Sequence, residues 1–470
     1  MPTVLPEWSS AKRVPPYTFL WYNGMCALIL LILVFLMPGL MFKFLLFCAT
    51  LIIFLMASLR LLTIVMMCVS AKPRPAIFLE TDPRMGTRPW PRFTILVPLF
   101  KEKHMVKVLM NNLAQLEYTT HKLEIVMVCE ADDPQTCEAV RKHLRAPFTL
   151  FEVPPSHPRT KPKALNAALA AIPDAQKGDI ISIYDAEDRP HRLQLKAAAQ
   201  ALCTDPLLAA VQSPLGYYNH RKNMLTVFFA LEYASLFHIW NPALARLRLP
   251  FTLGGTSNHI RRHVLEAVGG WDSYNVTEDA DLSFRVSALR GTGLPYKIGC
   301  IGYGTQEEAI DTVQDWVQQR SRWLKGFMQT WAVHMRPKSR NPQGQMLHTK
   351  TRIKTAIALQ ITVGATLLAT IFHVPSILTL TFLLGADALN FIDFTPSYAL
   401  FPLVLFGYGV AILSAVVGAI RERKPRLILY SPLLPLYWLL HFPAMLIASY
   451  EFIFAPSFWH KTKHSGKDIQ

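Results

Sequence analysis

The chain has 470 residues and a formal net charge of +16, yet only 17% of its residues are charged and 51% are hydrophobic. Soluble globular proteins carry about 25% charged residues, so this composition argues against a wholly soluble protein and indicates a fraction that faces lipid. The seven cysteines form no CxxC pair, which excludes a disulfide framework and a cysteine-rich zinc site. The positive charge is interpreted first as flanking of membrane helices beside a lipid bilayer, and second as binding of an anionic nucleotide sugar; no nucleic acid is expected as a partner.

The N-terminal region begins with a polar segment, residues 1–16, followed by two apolar runs within 17–70. Pro38-Gly39 separates the runs, and each reaches the roughly 20 apolar residues that a helix needs to cross a bilayer. We therefore predict two transmembrane helices that anchor the chain, not a cleaved signal peptide. The basic linker 71–90 is predicted to be cytosolic by the positive-inside rule, which also places the N-terminal segment in the cytosol.

The middle region, 91–335, alternates short apolar runs with helical patterns. Strands are predicted at 93–98, 123–129, 148–153 and 179–185, with helices between them at 104–116 and 134–144. This alternation predicts an α/β domain with a mainly parallel sheet, whose ligands bind beyond the carboxyl ends of the strands. Two aromatic amphipathic segments, 224–247 and 313–335, are predicted to be interfacial helices, with ordinary packed helices as the alternative.

Apolar runs return over 351–455 and predict further transmembrane helices, three or four in number. Pro375 makes one long span or two short spans possible in the first run. Pro432, Pro435 and Pro443 predict a broken or re-entrant helix in the last run. The basic tail, 456–470, is predicted to be cytosolic.

One acidic cluster follows the fourth predicted strand, where Asp185, Glu187 and Asp188 lie within four residues. Such carboxylates are costly to hold together unless a cation neutralises them. Mg²⁺ or Mn²⁺ would do so, held by one or two carboxylates together with substrate phosphates. The alternative is an acidic surface turn or a helix cap.

A second cluster is Thr277-Glu278-Asp279. A carboxylate beside an acceptor hydroxyl could serve as a general base. By itself, however, a threonine followed by acidic residues is more typical of a helix N-terminus.

A third cluster is Gln319-Arg320-Ser321-Arg322-Trp323. The arginines could bind a pyrophosphate as forks, and the indole of Trp323 offers a flat face for a sugar ring. An interfacial helix with basic and aromatic residues is the alternative.

Together these clusters resemble the processive family-2 glycosyltransferases, which include cellulose, chitin and hyaluronan synthases. That family carries a strand ending in Asp, a DxD-type metal motif, a TED motif and a QxxRW motif, in that order, on a GT-A fold between membrane helices. The matching positions here are Glu130 or Asp132, Asp185-Ala186-Glu187, Thr277-Glu278-Asp279 and Gln319–Trp323, and Lys161–Asn166 resembles the K-x-x-A-L-N element. Two departures leave alternatives open: Glu187 or Asp188 as the second metal ligand, and Glu130 or Asp132 as the nucleoside contact.

The resemblance implies a GT-A fold, a mixed and mainly parallel sheet, in a cytosolic domain flanked by transmembrane helices of the inner (plasma) membrane. It implies that the nucleotide sugar is bound by Glu130, Asp132, Lys161, Lys163, Asp185, Gln319, Arg320 and Arg322. It implies a Mg²⁺ or Mn²⁺ cofactor at Asp185 with Glu187 or Asp188. Asp279, beside Glu278, would deprotonate the acceptor, and Trp323, Gly255 and Thr256 would contact the acceptor sugar.

The implied function is an inverting hexosyltransferase that polymerises a β-linked polysaccharide and translocates it across the membrane. UDP-glucose is the expected donor, ahead of UDP-GlcNAc, and the growing polysaccharide is the acceptor, with accessory export proteins as possible partners. The alternative is a non-processive enzyme that glycosylates a lipid or a lipid-linked acceptor. A tail element, Trp459-x-Lys461-Thr462, is similar to the W-x-T-K element of a mobile loop in chitin synthases, with altered order.

Overall fold

The computed structural model describes residues 5–14, 24–25, 28–29, 32–33, 35–70, 90–174, 178–289, 293–336, 349–388, 400–456 and 458. Of the two predicted N-terminal spans, the first lies largely outside these residues and the second lies within them. Most of the predicted linker and the predicted tail element also lie outside the described residues.

Ten strands build the α/β region of the described chain. They are β1 Phe93–Leu99, β2 Leu123–Glu130, β3 Phe148–Val153, β4 Ile180–Ile183, β5 Arg189–Pro190, β6 Leu208–Gln212, β7 Leu215–Tyr217, β8 Asn258–Arg261, β9 Lys297–Cys300 and β10 Thr305–Glu307. Seven form the central sheet in the order β3-β2-β1-β4-β8-β6-β9, and β5-β10-β7 form a small second sheet. In the central sheet only β8 runs antiparallel to its neighbours, so the predicted mixed, mainly parallel sheet is confirmed.

The described helices surround the sheet and continue into the membrane region. They are α1 Pro38–Cys68, α2 Val106–Leu113, α3 Pro134–His143, α4 Lys161–Ala171, α5 Gln194–Thr204, α6 Met224–Ser235, α7 Asn241–Arg246, α8 Arg262–Ala267, α9 Glu278–Ala288, α10 Val313–His334, α11 Thr349–Leu359, α12 Ala365–Ala388, α13 Leu400–Glu422, α14 Leu434–Trp438 and α15 His441–Phe454. Single π-helical turns join α6 to α7 and α11 to α12, and a 3₁₀ segment, Pro425–Leu433, precedes α14.

The core lies on both faces of the central sheet because side chains alternate along each strand. On β1, Ile95 and Val97 pack into one apolar cluster with Leu109 of α2. Leu96 points to the other face and packs with Leu165 of α4. Strands covered on both faces read as continuous apolar runs, which is why β1, β2 and β4 could be predicted from the sequence. The edge strand β3 differs, because its Thr149 and Glu152 are exposed.

The two aromatic helices, α6 and α10, connect the sheet domain to the C-terminal helices. A third apolar cluster joins Phe229 of α6 and Trp316 of α10 to Ala415 of α13 and Tyr437 of α14. Both helices are therefore packed on one side by membrane-region helices. Their placement at the bilayer interface stays a prediction.

Among the described residues, three helical stretches are long and apolar enough to cross a membrane: Thr50–Cys68, Ile353–Leu378 and Pro402–Glu422. Pro375 lies inside α12 without ending it, so the first C-terminal run forms one long helix. The last run is bent by 44° between Pro425–Trp438 and His441–Phe454, as its prolines predicted. If that bent pair counts as one span, the described residues hold four candidate spans.

Candidate active site

A large cavity of about 1640 Å³ connects the strand ends to the membrane-region helices. At one end its wall includes Glu130, Lys161 and Asp185, which follow or face the ends of parallel strands. Its other end is lined by residues of α1, α12 and α13, including Met56, His373 and Tyr408. One continuous space therefore joins the predicted donor site to the predicted membrane region.

The turn after β4 separates its three carboxylates. Asp188 is fully buried and accepts hydrogen bonds from the Asp185 amide (2.8 Å) and from the Thr256 hydroxyl, while its Oδ1 atom has no hydrogen-bond partner. Burial, and then the charges of Asp185 and Glu187, raise the pKa of Asp188. Asp185 and Glu187 line the cavity, so of the two alternatives for a second metal ligand, Glu187 lies on the cavity wall.

Lys161 ties three of the predicted elements together at the start of α4. Its Nζ atom lies 2.5 Å from Asp185 Oδ1 and 2.8 Å from the Gly255 carbonyl oxygen. Burial opposes its charge, but the carboxylates of Asp185 and Glu278 outweigh that effect and raise the pKa of Lys161. The lysine is therefore a fixed cation facing the acidic side of the cavity.

Gly255 marks the point where the acidic elements meet. A Cβ atom on Gly255 would lie 3.7 Å from Lys161 Nζ, 3.8 Å from Asp279 Oδ2 and 3.9 Å from Asp185 Oδ2. The predicted base and the predicted metal ligand thus face one small space, which the absence of a side chain at this position leaves open. The predicted acceptor residue Thr256 instead directs its hydroxyl to Asp188.

The nucleoside end of the site carries two ion pairs. Lys163 Nζ lies 3.0 Å from each carboxylate oxygen of Glu130, at the end of β2. Asp132 pairs with Arg159 and its side chain is 33% exposed. Of these two predicted nucleoside contacts, Glu130 lies on the cavity wall, so it is the better placed.

The TED turn forms the start of α9. Thr277 occupies the N-cap position, but its hydroxyl contacts Asn275 Oδ1 at 3.4 Å and caps no amide. Glu278 and Asp279 line the cavity in the first helical turn, where the helix dipole favours negative charge. Burial nevertheless raises the pKa of Asp279 to about 6 and also raises the pKa of Glu278.

Two further acidic residues of this cluster serve the scaffold. Asp272 accepts hydrogen bonds from the Ser10 hydroxyl (2.8 Å) and the Ala11 amide (2.6 Å), which fastens the N-terminal segment to the domain. Asp281 contacts Arg285 at 2.7 Å and His334 at 2.8 Å, so it joins α9 to the end of α10.

The two arginines of the QxxRW helix α10 interact with different groups. Burial lowers the pKa of Arg322, against the opposing charges of Glu278 and Asp185. Arg320 instead forks onto Glu232, with N–O distances of 2.8 and 2.9 Å. Gln319, Arg320, Arg322 and Trp323 all line the cavity.

The residues present fit a divalent cation. No group of three His, Cys, Asp or Glu side chains in the described parts of the chain could hold an ion by itself. However, Asp185 and Glu187 supply two carboxylates on the cavity wall, and Gly255 leaves room beside Asp185. Because Mg²⁺ sites commonly combine one or two carboxylates with substrate phosphates, a nucleotide diphosphate would complete this one.

Sequence reasoning missed several residues of the cavity wall. Glu307 ends the short strand β10, and burial followed by the charges of Asp188 and Glu187 raises its pKa. Glu308 lines the cavity beside it, and Glu232 lines it from α6. The paired glutamates a few residues before the QxxRW helix were the only signal in the sequence, because two- and three-residue strands show no periodicity.

Gly326 allows α10 to pack directly on the TED turn. A Cβ atom on Gly326 would lie 2.4 Å from both Oγ1 and Cγ2 of Thr277. We expect Gly326→Ala to displace the TED turn, to lower stability by about 1–3 kcal/mol and to lower kcat. Thermal unfolding and nucleoside diphosphate release by the purified protein would measure both effects. Gly409→Ala is the matched control, since no atom lies within 4 Å of its Cβ position, and equal losses in the two variants would contradict this prediction.

Comparison with known proteins identifies the family. Residues 180–450 match the family described as "Glycosyl transferase family group 2". The chain belongs to this family. The prediction of a family-2 glycosyltransferase is thereby confirmed, whereas the processive type within the family stays a prediction.

Three curated proteins are similar to this chain over part of its length. The chain is 27% identical over 248 residues to the probable glycosyltransferase YdaM of Bacillus subtilis (strain 168), covering 52% of this chain and 57% of YdaM. It is 25% identical over 268 residues to a beta-monoglucosyldiacylglycerol synthase of Synechocystis sp., covering 55% and 52%. It is 24% identical over 217 residues to the probable glucomannan 4-beta-mannosyltransferase 1 of Arabidopsis thaliana, covering 44% and 38%. The chain thus spans about half the length of the first two relatives and less of the third.

A solved structure supports the fold. The mannosyltransferase PcManGT of Pyrobaculum calidifontis, in complex with GDP-Man and Mn²⁺, superposes with a TM-score of 0.54 at 18% identity, covering 87% of this chain and 98% of that chain. The predicted GT-A fold is confirmed.

Proposed function

We propose that the protein transfers a hexose from a nucleotide sugar to the hydroxyl group of a lipid acceptor that enters the cavity from the membrane. The observation that carries this proposal is the cavity, which runs from the carboxylates to the candidate spans. Ile52 of α1 and Phe372 of α12 line this cavity and are 49% and 58% exposed, and we propose that the lipid enters between these two helices.

The chemistry of the membrane-side walls favours an acyl chain. Ile53, Leu368 and Val404 line this part of the cavity together with Ile52 and Phe372. A polysaccharide in the same place would need hydrogen-bond partners for its hydroxyl groups, because each buried unpaired polar group costs several kcal/mol, about 2–7 by transfer measurements. The similarity to beta-monoglucosyldiacylglycerol synthases supports a lipid acceptor as well.

The donor is proposed to bind at the strand ends, with its base beside Glu130 and Lys163 and its diphosphate between Lys161 and Arg322. Bound Mg²⁺ or Mn²⁺ would neutralise the diphosphate at Asp185 and Glu187 as negative charge develops on it. UDP-glucose is the proposed donor. Trp323 would contact the acceptor at the junction of the donor site and the membrane part of the cavity.

The proposed reaction is a single displacement. Asp279 accepts the proton of the acceptor hydroxyl while the hydroxyl oxygen bonds to the anomeric carbon of the sugar. The bond from that carbon to the diphosphate oxygen breaks, and the nucleoside diphosphate leaves with the electron pair. Attack from the face opposite the leaving group converts an α-linked donor into a β-linked product.

We further propose the membrane arrangement predicted from the sequence. The domain 91–335 lies in the cytosol, between the N-terminal helices of 17–70 and the C-terminal helices of 351–455, in the inner (plasma) membrane. Segments 1–16 and 456–470 and the linker 71–90 lie on the same side. The asymmetric distribution of basic residues beside the apolar runs supports this orientation.

A processive β-glucan synthase that exports its product is the second candidate. The observation that favours it is a group of polar aromatic side chains deeper in the cavity. Tyr408 donates a hydrogen bond to His373 Nδ1 at 2.6 Å, and its ring stacks on Trp438 with centroids 6.0 Å apart. Such a surface could contact a sugar ring, and the glucomannan mannosyltransferases among the relatives support this reading too.

Product analysis with the full chain separates the two candidates. The purified protein would be reconstituted in liposomes with radiolabelled UDP-glucose, with and without diacylglycerol, and Asp279→Asn would serve as the blank. Lipid-soluble label that depends on diacylglycerol and carries one sugar is the expected result. Label in water-soluble, β-glucanase-sensitive chains without added lipid would overturn the lipid proposal in favour of the second candidate.

The pH profile provides an independent check on the proposed base. We expect kcat/KM to fall as the pH drops below about 6, because burial raises the pKa of Asp279 to about 6 and only its carboxylate form can accept the proton. Well below that pH, the rate should fall about tenfold per pH unit. Nucleoside diphosphate release measured across this range would show the acidic limb, and a flat profile would contradict the assignment.

A further inference from the structure

The Arg320 guanidinium is enclosed by aromatic rings of α6 and α10. Its central carbon lies 4.5 Å from the ring centroid of Trp323, 4.9 Å from that of Trp316 and 5.0 Å from that of Phe229. Cations over aromatic faces at such distances attract the ring, more strongly where water is excluded. The position of this guanidinium therefore bears directly on the orientation of the Trp323 indole.

Glu232 fixes the guanidinium from the opposite helix. Both carboxylate oxygens of Glu232 accept from Arg320, at 2.8 and 2.9 Å, which is the two-pronged geometry that an arginine and a carboxylate form best. Burial opposes ionisation of Glu232, but the charge of Arg320 outweighs it and holds the pKa of Glu232 below its ordinary value. The Glu232 carboxylate and the Arg320 guanidinium are therefore both ionised at neutral pH.

Tyr437 adds a third element. Its hydroxyl donates to Glu232 Oε2 at 2.7 Å, and its ring lies edge-on to Trp316 at 5.2 Å. Glu232, Arg320 and Tyr437, here called the Glu232 clamp, thus connect α6, α10 and α14. Because α14 belongs to the bent C-terminal helix pair, the clamp connects the QxxRW helix to the candidate membrane segment.

This arrangement directs the terminal fork of Arg320, the part that would bind a diphosphate, to Glu232, while its Nε atom has no hydrogen-bond partner. Both of its terminal nitrogens already donate to Glu232, and the charge of that carboxylate offsets its own. Arg322, by contrast, interacts electrostatically with the carboxylates of Glu278, Asp185 and Asp279 at the proposed donor site. The two arginines of one motif therefore have different neighbours, Glu232 for Arg320 and the carboxylates of the proposed donor site for Arg322.

We propose that Glu232 and Arg320 are positioning residues for the acceptor: they hold the Trp323 indole in the plane in which the acceptor hydroxyl is presented to Asp279, and they take no part in donor binding. This inference rests on the proposed contact between Trp323 and the acceptor. The hydrogen bond from Tyr437 orients the carboxylate of Glu232, so the geometry of the acceptor site depends on the position of α14.

The test compares acceptor and donor kinetics in full-length variants. We expect Glu232→Gln to raise the KM for the acceptor about tenfold or more, since small misplacements of a reacting group can cost up to about a hundredfold. The KM for the nucleotide sugar, and its hydrolysis by water without acceptor, should stay within about twofold of the wild type, because the donor contacts are unchanged. Arg320→Lys keeps the charge but loses the fork, so it should fall between the wild type and Glu232→Gln.

A second buried ion pair on the same helix provides the matched control. Lys325 of α10 contacts Glu451 of α15 at 2.7 Å and also donates a hydrogen bond to the Phe458 carbonyl. Glu451→Gln should lower the melting temperature as Glu232→Gln does, yet leave the acceptor KM unchanged. Tyr437→Phe removes only one hydroxyl group, so it remains measurable if Glu232→Gln fails to fold, and it should raise the acceptor KM alone.

Two outcomes would overturn the proposal. A rise in donor KM in Glu232→Gln, Arg320→Lys or Tyr437→Phe would show that the pair takes part in donor binding. An equal rise of the acceptor KM in Glu451→Gln would show that the Glu232 clamp only stabilises the fold. A failure of the lipid proposal would look different: the wild type would then not glycosylate the lipid, and the same comparison would be made with a β-glucan oligosaccharide as acceptor.

Discussion

Replacing Asp279 by Asn should stop glycosyl transfer while leaving the nucleotide sugar bound. The amide keeps the size and most of the hydrogen bonding of the carboxylate, including acceptance from the Ala280 amide at 2.8 Å, but it cannot take a proton. Loss of a general base costs about 10²–10⁴-fold in rate. We therefore expect kcat to fall by that factor with an almost unchanged affinity for the donor.

The measurement combines turnover with direct binding. Nucleoside diphosphate release would report kcat, and quenching of tryptophan fluorescence by added nucleotide sugar would report donor affinity. Asp174→Asn is the matched control, because Asp174 is 87% exposed and lies outside the cavity wall. Wild-type turnover in Asp279→Asn would remove this residue from the reaction.

Replacing Asp185 by Asn should weaken donor and metal binding together. The change removes a carboxylate from the cavity wall and also removes the negative charge that lies 2.5 Å from Lys161 Nζ. Loss of supporting metal contacts typically costs about 10–100-fold in metal affinity or activity, and loss of a direct ligand should reach the upper part of that range. Activity should also disappear on treatment of the wild type with EDTA and return with Mn²⁺ or Mg²⁺.

Metal titration of the variants would distinguish the three carboxylates. Asp185→Asn and Glu187→Gln should shift the metal concentration for half-maximal activity upwards. Asp188→Asn should mainly lower the melting temperature, because Asp188 is buried against Thr256 and does not line the cavity. If Asp188→Asn shifted the titration and Glu187→Gln did not, Asp188 would be the second ligand.

Strands β1, β2 and β4 could be read from the sequence because their residues are largely buried and apolar, whereas the edge strand β3 could be recognised from its β-branched and aromatic residues although Thr149 and Glu152 are exposed. The small sheet could not be predicted, because β5, β7 and β10 are two or three residues long and carry no period. The position of β8, antiparallel between β4 and β6, could not be predicted either. It depends on pairing with strands that are distant in the sequence.

The candidate site divides in the same way. Motifs that are local in sequence could be identified: Asp185 to Asp188 follow a predicted strand, and the TED residues have the pattern of a helix N-terminus. Partners that are distant in sequence could not: Glu232 is 88 residues from Arg320 and 205 from Tyr437. A motif pattern names both arginines of α10 alike, and only the packing shows that they face different sides.

The attachment of α10 to α15 bears on how this protein can be divided or recombined. Lys325 is fully buried and depends on Glu451 for its counter-charge, and Gln329 donates a hydrogen bond to the Pro456 carbonyl at 2.8 Å. A soluble fragment cut after α10 would leave Lys325 without that partner, and breaking a buried pair costs about 3–5 kcal/mol, a large part of a typical domain's stability. Chimaeras that exchange the sheet domain between relatives should therefore take α10 and α15 from the same parent protein.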